Sequence, residues 1–298
     1  MRPMLELSQV GFSYHLRDSE VIALSDVSFQ VTAGEFVAIV GPSGCGKSTL
    51  LSIIAGLIPV SSGNVLVDGL SPERSVNRIG YMLQKDHLLE WRKIYDNMCL
   101  GLEIRGLNDP SHQASVRQMM ETYGLGKFAD HYPASLSGGM RQRVALIRTL
   151  ALAPDILLLD EPFSALDYLT RLEVGDDIGQ IIRKTGKTAI LVTHDLSEAI
   201  SLADRIVVLT NRPGTVKCIL DIEFPDGITS SLERRNSPEF SKHFNRVWTA
   251  LKSETLTKYT PEDVKYEATN KINKNQTPPE NNGLKELSSG EGGILHEK

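Results

Sequence analysis

The sequence predicts an α/β fold with a mostly parallel sheet, and three observations carry that prediction. Runs at 36–40, 156–159 and 188–192 are short, apolar and rich in branched aliphatic residues, the texture of strands buried on both faces. Helical stretches follow the first two, at 47–58 and from Asp167 to about Lys184, so strand and helix alternate. Between the first strand and its helix lies Gly41, Pro42, Ser43, Gly44, Cys45, Gly46, Lys47, Ser48 and Thr49, which fits the phosphate-binding loop pattern. In that pattern the glycines let the backbone bend round a polyphosphate, with its N–H groups turned inward. The following helix start adds a field that favours negative charge. Lys47 reaches the outer phosphates and the Ser48 hydroxyl takes Mg²⁺. A nucleoside triphosphate is the expected ligand, on a core of the phosphate-loop triphosphatase type.

The stretches at 5–10 and 26–31 alternate or are β-branched, and they predict a β-rich N-terminal layer. Tyr14 lies between them, either as a strand aromatic packed on the sheet or as a platform for a flat ring. Helix 47–58 is expected to end near Gly56 and Pro59. Strands follow at 63–69 and 78–84, the second ending on Gln84, which is either a polar residue at a loop mouth or a group that touches Mg²⁺ or its water. From Lys85 to about Tyr132 the pattern turns helical, with Ile94, Met98, Leu102 and Ile104 on one stripe and Val116, Met119, Met120 and Tyr123 on the next. This predicts an α-helical subdomain, about 85–150, inserted into the core.

Ser137, Gly138 and Gly139 form a turn at the start of a second helix, again a place for free N–H groups. The run at 154–162 delivers Asp160 and Glu161 to the end of a central strand, where ligands sit in open α/β sheets. Asp160 suits Mg²⁺, through water or Ser48, and Glu161 suits polarisation of an attacking water. His194 ends the strand at 188–192, where a γ-phosphate belongs. Strands at 204–211 and 215–222, joined by a turn at Pro213 and Gly214, complete the core. Ser237 and Pro238 open a C-terminal helix, about 238–252, with Phe240, Phe244, Val247, Trp248 and Leu251 on its apolar face. The division expected is an ATPase domain over 1–255 and a disordered tail over 256–298, where Lys, Glu, Asn, Pro, Gly and Ser dominate.

At 298 residues with 41% hydrophobic content the chain can bury a full core. Its net charge of −5 argues against a nucleic-acid binder. No run approaches a membrane span and the N-terminus lacks a signal-peptide core, so a soluble cytoplasmic protein is expected. The three cysteines lack metal spacing and suggest no disulfide framework; Cys45, inside the phosphate loop, is expected to be a point of thiol attack.

Taken in order, Tyr14, the loop at 41–49, Gln84, the Leu-Ser-Gly-Gly stretch from Leu136, Asp160-Glu161, Asp167 and His194 resemble the ATP-binding subunit of an ABC transporter. The resemblance covers about residues 4 to 222, and the Leu-Ser-Gly-Gly stretch is its most specific part. It implies that Tyr14 stacks on adenine, that Ser48, Gln84 and Asp160 organise Mg²⁺, that Glu161 activates water and that His194 contacts the γ-phosphate. Ser137, Gly138, Gly139 and Asp167 would meet ATP held by a second such subunit, the same or a paralogue. Residues 88–92, 96–97, 211–214 and the pattern near Arg234, Arg235 and Trp248 are most similar to ATPases of nitrate, sulfonate and taurine importers and of their pyrimidine-type relatives. Glu90 stands where those relatives usually have Pro, and Met140 where many ABC proteins have Gln. The resemblance implies a peripheral protein on the cytoplasmic face of the cell (inner) membrane. There it would serve a separate permease and, indirectly, an external solute-binding protein. The competing readings are a soluble ABC ATPase unconnected to transport and a nucleotide-binding regulatory module without turnover.

Overall fold

Strands that are apolar on every residue need cover on both sides, and the chain supplies two different covers. The computed structural model describes residues 2–16 and 19–255. The expectation of a disordered tail therefore lies outside the described residues. Strands β1 (Leu5–Leu16), β2 (Ser19–Val31) and β4 (Ser62–Val67) form an antiparallel sheet in the order β2-β1-β4. Strands β3 (Phe36–Val40), β5 (Ile79–Met82), β6 (Ile156–Asp160), β7 (Thr188–Val192), β8 (Arg205–Leu209) and β9 (Val216–Asp221) form a six-stranded sheet in the order β5-β6-β7-β3-β8-β9. It is parallel except for β9, which pairs antiparallel with β8.

Alternate residues of each central strand enter different cores. Val37 and Ile39 of β3, with Ile156 and Leu158 of β6, pack with helix α1 (Lys47–Ile54) and the antiparallel sheet. Phe36, Ala38 and Val40, with Leu157 and Leu159, pack on the other face. There they meet α4 (Gly138–Leu150), α5 (Tyr168–Thr185), α6 (Leu196–Leu202) and α8 (Pro238–Thr255). Strands covered on both faces show no polar alternation, which is why they read as continuous apolar runs. Between β5 and α4 the chain forms α2 (Ile94–Ile104) and α3 (Pro110–Thr122), which build a separate core from Ile94, Met98, Leu102, Val116, Met120, Val144 and Ile147. That is the inserted helical subdomain. A short helix α7 (Ser231–Asn236) precedes α8.

Several boundaries differ from expectation. Helix α1 stops at Ile54, because Gly56 takes the left-handed conformation (φ +71°) that ends helices. Strand β2 begins at Ser19 and pairs antiparallel with β1 through irregular register, so residues 19–25, ahead of the expected start at Asp26, are part of the strand. Strand β5 ends at Met82 and leaves Gln84 in the loop beyond it. Ile104 does not join its stripe: it is 77% exposed, two residues past Leu102 and so about 200° round α2 from the buried seam. Trp248 is half-exposed, its ring stacked on Phe244. Among the described residues no helix is long and apolar enough to cross a membrane.

Candidate active site

The C-terminal ends of β3, β6 and β7 are neighbours in the sheet, and the loops that leave them meet at one edge. After β3, Gly44 (φ +76°) and Gly46 (φ +99°) turn the chain into α1 through backbone conformations that side chains disfavour. A Cβ on Gly46 would also lie 2.7 Å from Leu24. Helix α1 begins with no capping side chain and no acid in its first turn, whereas Ser137, Asp167 and Asp195 cap α4, α5 and α6. Uncapped N–H groups at a helix start take an anion or water as partner, and the cleft beside this loop has room for one. Lys47 is 8% exposed, and its Nζ donates to the carbonyls of Gly41 (2.8 Å) and Pro42 (2.9 Å) within its own loop. Those neutral acceptors hold the ammonium in place without cancelling its charge.

At the end of β6, Asp160 accepts from Ser48 Oγ at 3.0 Å through Oδ1 and from the Tyr81 hydroxyl at 3.3 Å through Oδ2. Burial, chiefly, and the neighbouring Glu161 charge push the Asp160 carboxyl above its ordinary range; Ser48, Tyr81 and Lys47 oppose the shift. Burial and the Asp160 charge likewise push the Tyr81 hydroxyl up to about 12, so it stays a donor. Glu161 has a left-handed backbone (φ +45°), held by its N–H on Val192 O (2.8 Å). One of its oxygens, Oε2, lies 3.1 Å from His194 Nδ1 and accepts from Gln84 Nε2 at 3.3 Å. Gln84 also donates to Ser164 Oγ. Two loops that are far apart in the chain thus converge on a single carboxylate.

A cleft of about 330 Å³ is lined by Tyr14, Val21, Ala23, Glu161, Arg212 and the loop residues Ser43, Gly44, Gly46, Lys47, Ser48 and Thr49. Tyr14 is half-exposed, edge-on to Phe12, with its hydroxyl 2.9 Å from Thr49 Oγ1. An aromatic face, a glycine loop and an ammonium in one cleft suit a flat base joined to a polyphosphate. Gly41, Pro42, Cys45, Gln84, Asp160 and His194 do not line that cleft; they support or flank it. Cys45 is 1% exposed and its thiol is raised, mainly by burial with Lys47 opposing, so it is shielded and poorly nucleophilic, not the reactive point its position suggests.

Ser137, Gly138, Gly139 and Asp167 stand apart from the cleft. Ser137 Oγ accepts from the Met140 N–H, and Asp167 caps α5 by accepting from the Thr170 N–H; the Thr170 side chain first, and then that N–H, hold its carboxyl below the usual range. Gly139 presses on α5, where a Cβ would meet Thr170 and Val174 at 2.8 and 2.9 Å, and Gly138 faces Leu166. Sequence reasoning missed Tyr81 and Arg212. Tyr81 gave no signal beyond its place on a strand that ends at the site. Arg212 is brought in by Gly214, which packs so tightly on the Cys45 backbone that a Cβ there would collide with its carbonyl.

Mg²⁺ suits this donor set: a buried carboxylate with only neutral hydrogen-bond partners and a hydroxyl beside it are hard oxygens. Among the described residues no group of three His, Cys, Asp or Glu side chains could cage a metal, so phosphate oxygens would have to complete the shell.

Residues 24–164 match the family model described as ABC transporter. The chain is 42% identical over 249 residues to an uncharacterised ABC transporter ATP-binding protein of Bacillus subtilis, covering 84% of this chain and 96% of that one. It is 40% identical over 243 residues to a taurine import ATP-binding protein of Rhizobium johnstonii, covering 80% and 93%. With a nitrate import ATP-binding protein of Synechococcus elongatus the identity is 42% over 214 residues, 69% of this chain and 32% of that longer one. A dimeric ATP-binding cassette in a post-hydrolysis state, bound to ADP and Pi, superposes with a TM-score of 0.65 at 31% identity, covering 74% of this chain and all of that one.

Proposed function

This chain belongs to the ABC transporter family as an ATP-binding subunit with ATPase activity, and on that premise we propose that it powers an importer. The reading couples ATP binding and hydrolysis to uptake of a small anion or organic solute, of the nitrate, sulfonate, taurine or pyrimidine-like kind, through a separate permease. The protein would sit peripherally on the cytoplasmic face of the membrane, with an external solute-binding protein upstream. The observation that carries the chemistry is the convergence of Gln84 and His194 on Glu161 beside the Ser48–Asp160 pair. The relatives named for taurine and nitrate import support the choice of importer.

In this reading Tyr14 stacks on adenine, and the backbone of residues 41–49 with Lys47 holds the phosphates. Ser48, Asp160 and Gln84 would hold Mg²⁺, which when bound neutralises phosphate charge. Glu161 orients a water for in-line attack, and His194 steadies Glu161 and faces the γ-phosphate. No covalent intermediate is needed, since positioning and charge supply the rate. Ser137, Gly138, Gly139 and Asp167, remote from their own cleft, close on the ATP of a second subunit.

Replacing Glu161 by Gln keeps the shape of the side chain and removes its basicity. ATP binding is expected to persist while turnover falls by about 10²–10⁴-fold, the usual worth of a positioned base. Near-normal hydrolysis would remove Glu161 from that role. The same variant, tagged and drawn with ATP from detergent-solubilised host membranes, should bring a multi-span permease with it. Ribosomal or DNA-repair factors in its place would favour a soluble ABC ATPase.

A further inference from the structure

Arg171 lies in the first turn of α5, outside the cleft, yet its guanidinium joins three segments of the site. Nη2 donates to the Leu166 carbonyl at 3.1 Å, in the turn that leads to Asp167. Nη1 donates to Asp195 Oδ2 at 3.4 Å, and Nε lies 3.7 Å from Glu198 Oε1. Both acids are already committed to the residues that flank His194. Asp195 uses Oδ1 to cap α6 through the N–H groups of Ser197 and Glu198. Glu198, 4% exposed, accepts from Thr193 Oγ1 at 2.6 Å, and Thr193 Oγ1 in turn accepts from the Asp195 N–H. His194 is therefore bracketed by Thr193, held by Glu198, and by Asp195, which itself faces Arg171, while its own ring reaches Glu161. Leu166, at the other end of the guanidinium, is the side chain that a Cβ on Gly138 would touch at 3.1 Å.

We infer that Arg171 is a positioning residue: it fixes His194 against Glu161 and ties that loop to the Leu166–Asp167 turn. The inference rests on the catalytic placement of Glu161 and His194 proposed above. The planar guanidinium donates two hydrogen bonds in a fixed fork, to Leu166 and Asp195, and holds its charge 3.7 Å from Glu198, an arrangement that an ammonium does not reproduce. The segment that faces a partner subunit and the segment that faces the γ-phosphate then move as one body. Arg235 adds charge near Asp195 and Glu198, but among the described residues the hydrogen bond to Asp195 comes from Arg171.

The test compares kcat and KM of the full chain with MgATP in two backgrounds, wild type and His194→Ala. Arg171→Ala should lower kcat about tenfold or more while KM stays within about threefold, because the phosphate loop is untouched. In the His194→Ala background the same change should cost less than about twofold, since residues that act as a unit are non-additive. Arg171→Lys should recover only part of the loss. If Arg171→Ala does not fold, Glu198→Gln, which keeps the Thr193 bond and removes the charge, should give the same background-dependent pattern with a smaller drop. Equal losses in both backgrounds would show a general structural role and overturn the inference, as would an unchanged kcat in wild type. Full turnover by His194→Ala alone would instead overturn the assignment of His194.

Discussion

Asp160 bears the cost of holding a site ready for a cation. Its carboxyl is buried against Ser48, Tyr81 and Glu161 and sits above the ordinary range, so the folded chain keeps that proton more readily than the unfolded one. Stability is consequently lost as pH rises through the window above the usual aspartate value, when the fold must accept the ionised form. Asp160→Asn keeps the shape and an acceptor for Ser48 without the charge. At neutral pH the variant should melt about 2–4 °C above wild type, the effect of ~1 kcal/mol in a domain of this size, while Mg²⁺-dependent turnover is lost. The gain should shrink as pH falls through that window and the folded carboxyl takes up its proton; thermal melts of both proteins across it measure the change. A variant that melts below wild type at neutral pH would show that the Ser48 and Tyr81 bonds outweigh desolvation.

Between elements, α4 packs closely on α5 at Gly139. Gly139 is in the first turn of α4 because nothing larger fits between it and Thr170 and Val174. Gly139→Ala should push the helix start outward, destabilise the fold by about 1–3 kcal/mol as overpacking does, and reduce ATPase activity by displacing Ser137. Thr170→Ser, which deletes the methyl group a Cβ would strike at 2.8 Å, should restore part of both. Denaturant melts and turnover of the single and double variants decide this, and no recovery in the double variant would place the fault in the glycine's backbone. Ser137 and Asp167 cap these two helices, whose first turns meet at Gly139 and Thr170.

At the scale of the whole molecule, one chain holds a nucleotide cleft and, away from it, an exposed pair of capped helix starts at Ser137 and Asp167. Two copies, or a copy and a paralogue, arranged head to tail would satisfy both. The Glu161→Gln chain should therefore elute at twice its mass with MgATP and as a single copy without it. Ser137→Arg, placed at the capped start of α4, should abolish that shift while leaving ATP binding by the cleft intact. A monomer under both conditions would mean that the permease, not the nucleotide, brings two ATPases together.

The sequence by itself determined the strands, the phosphate loop, the acids at the end of β6 and the helical insertion. Each is written in local spacing: a two-sided burial pattern, glycines where φ must be positive, a 3.6-residue stripe. The tertiary structure alone decided that Tyr81 serves Asp160, that Arg212 enters the cleft beside Tyr14, and that Arg171 gathers Leu166, Asp195 and Glu198. It also decided that Ile104 and Trp248 fall outside the seams to which their spacing assigns them. The physical reason is the strand order β5-β6-β7-β3-β8-β9, which sets beside one another residues that no local period relates. Burial patterns say that a residue faces a core or an edge; only the packed sheet says which distant residue it meets there.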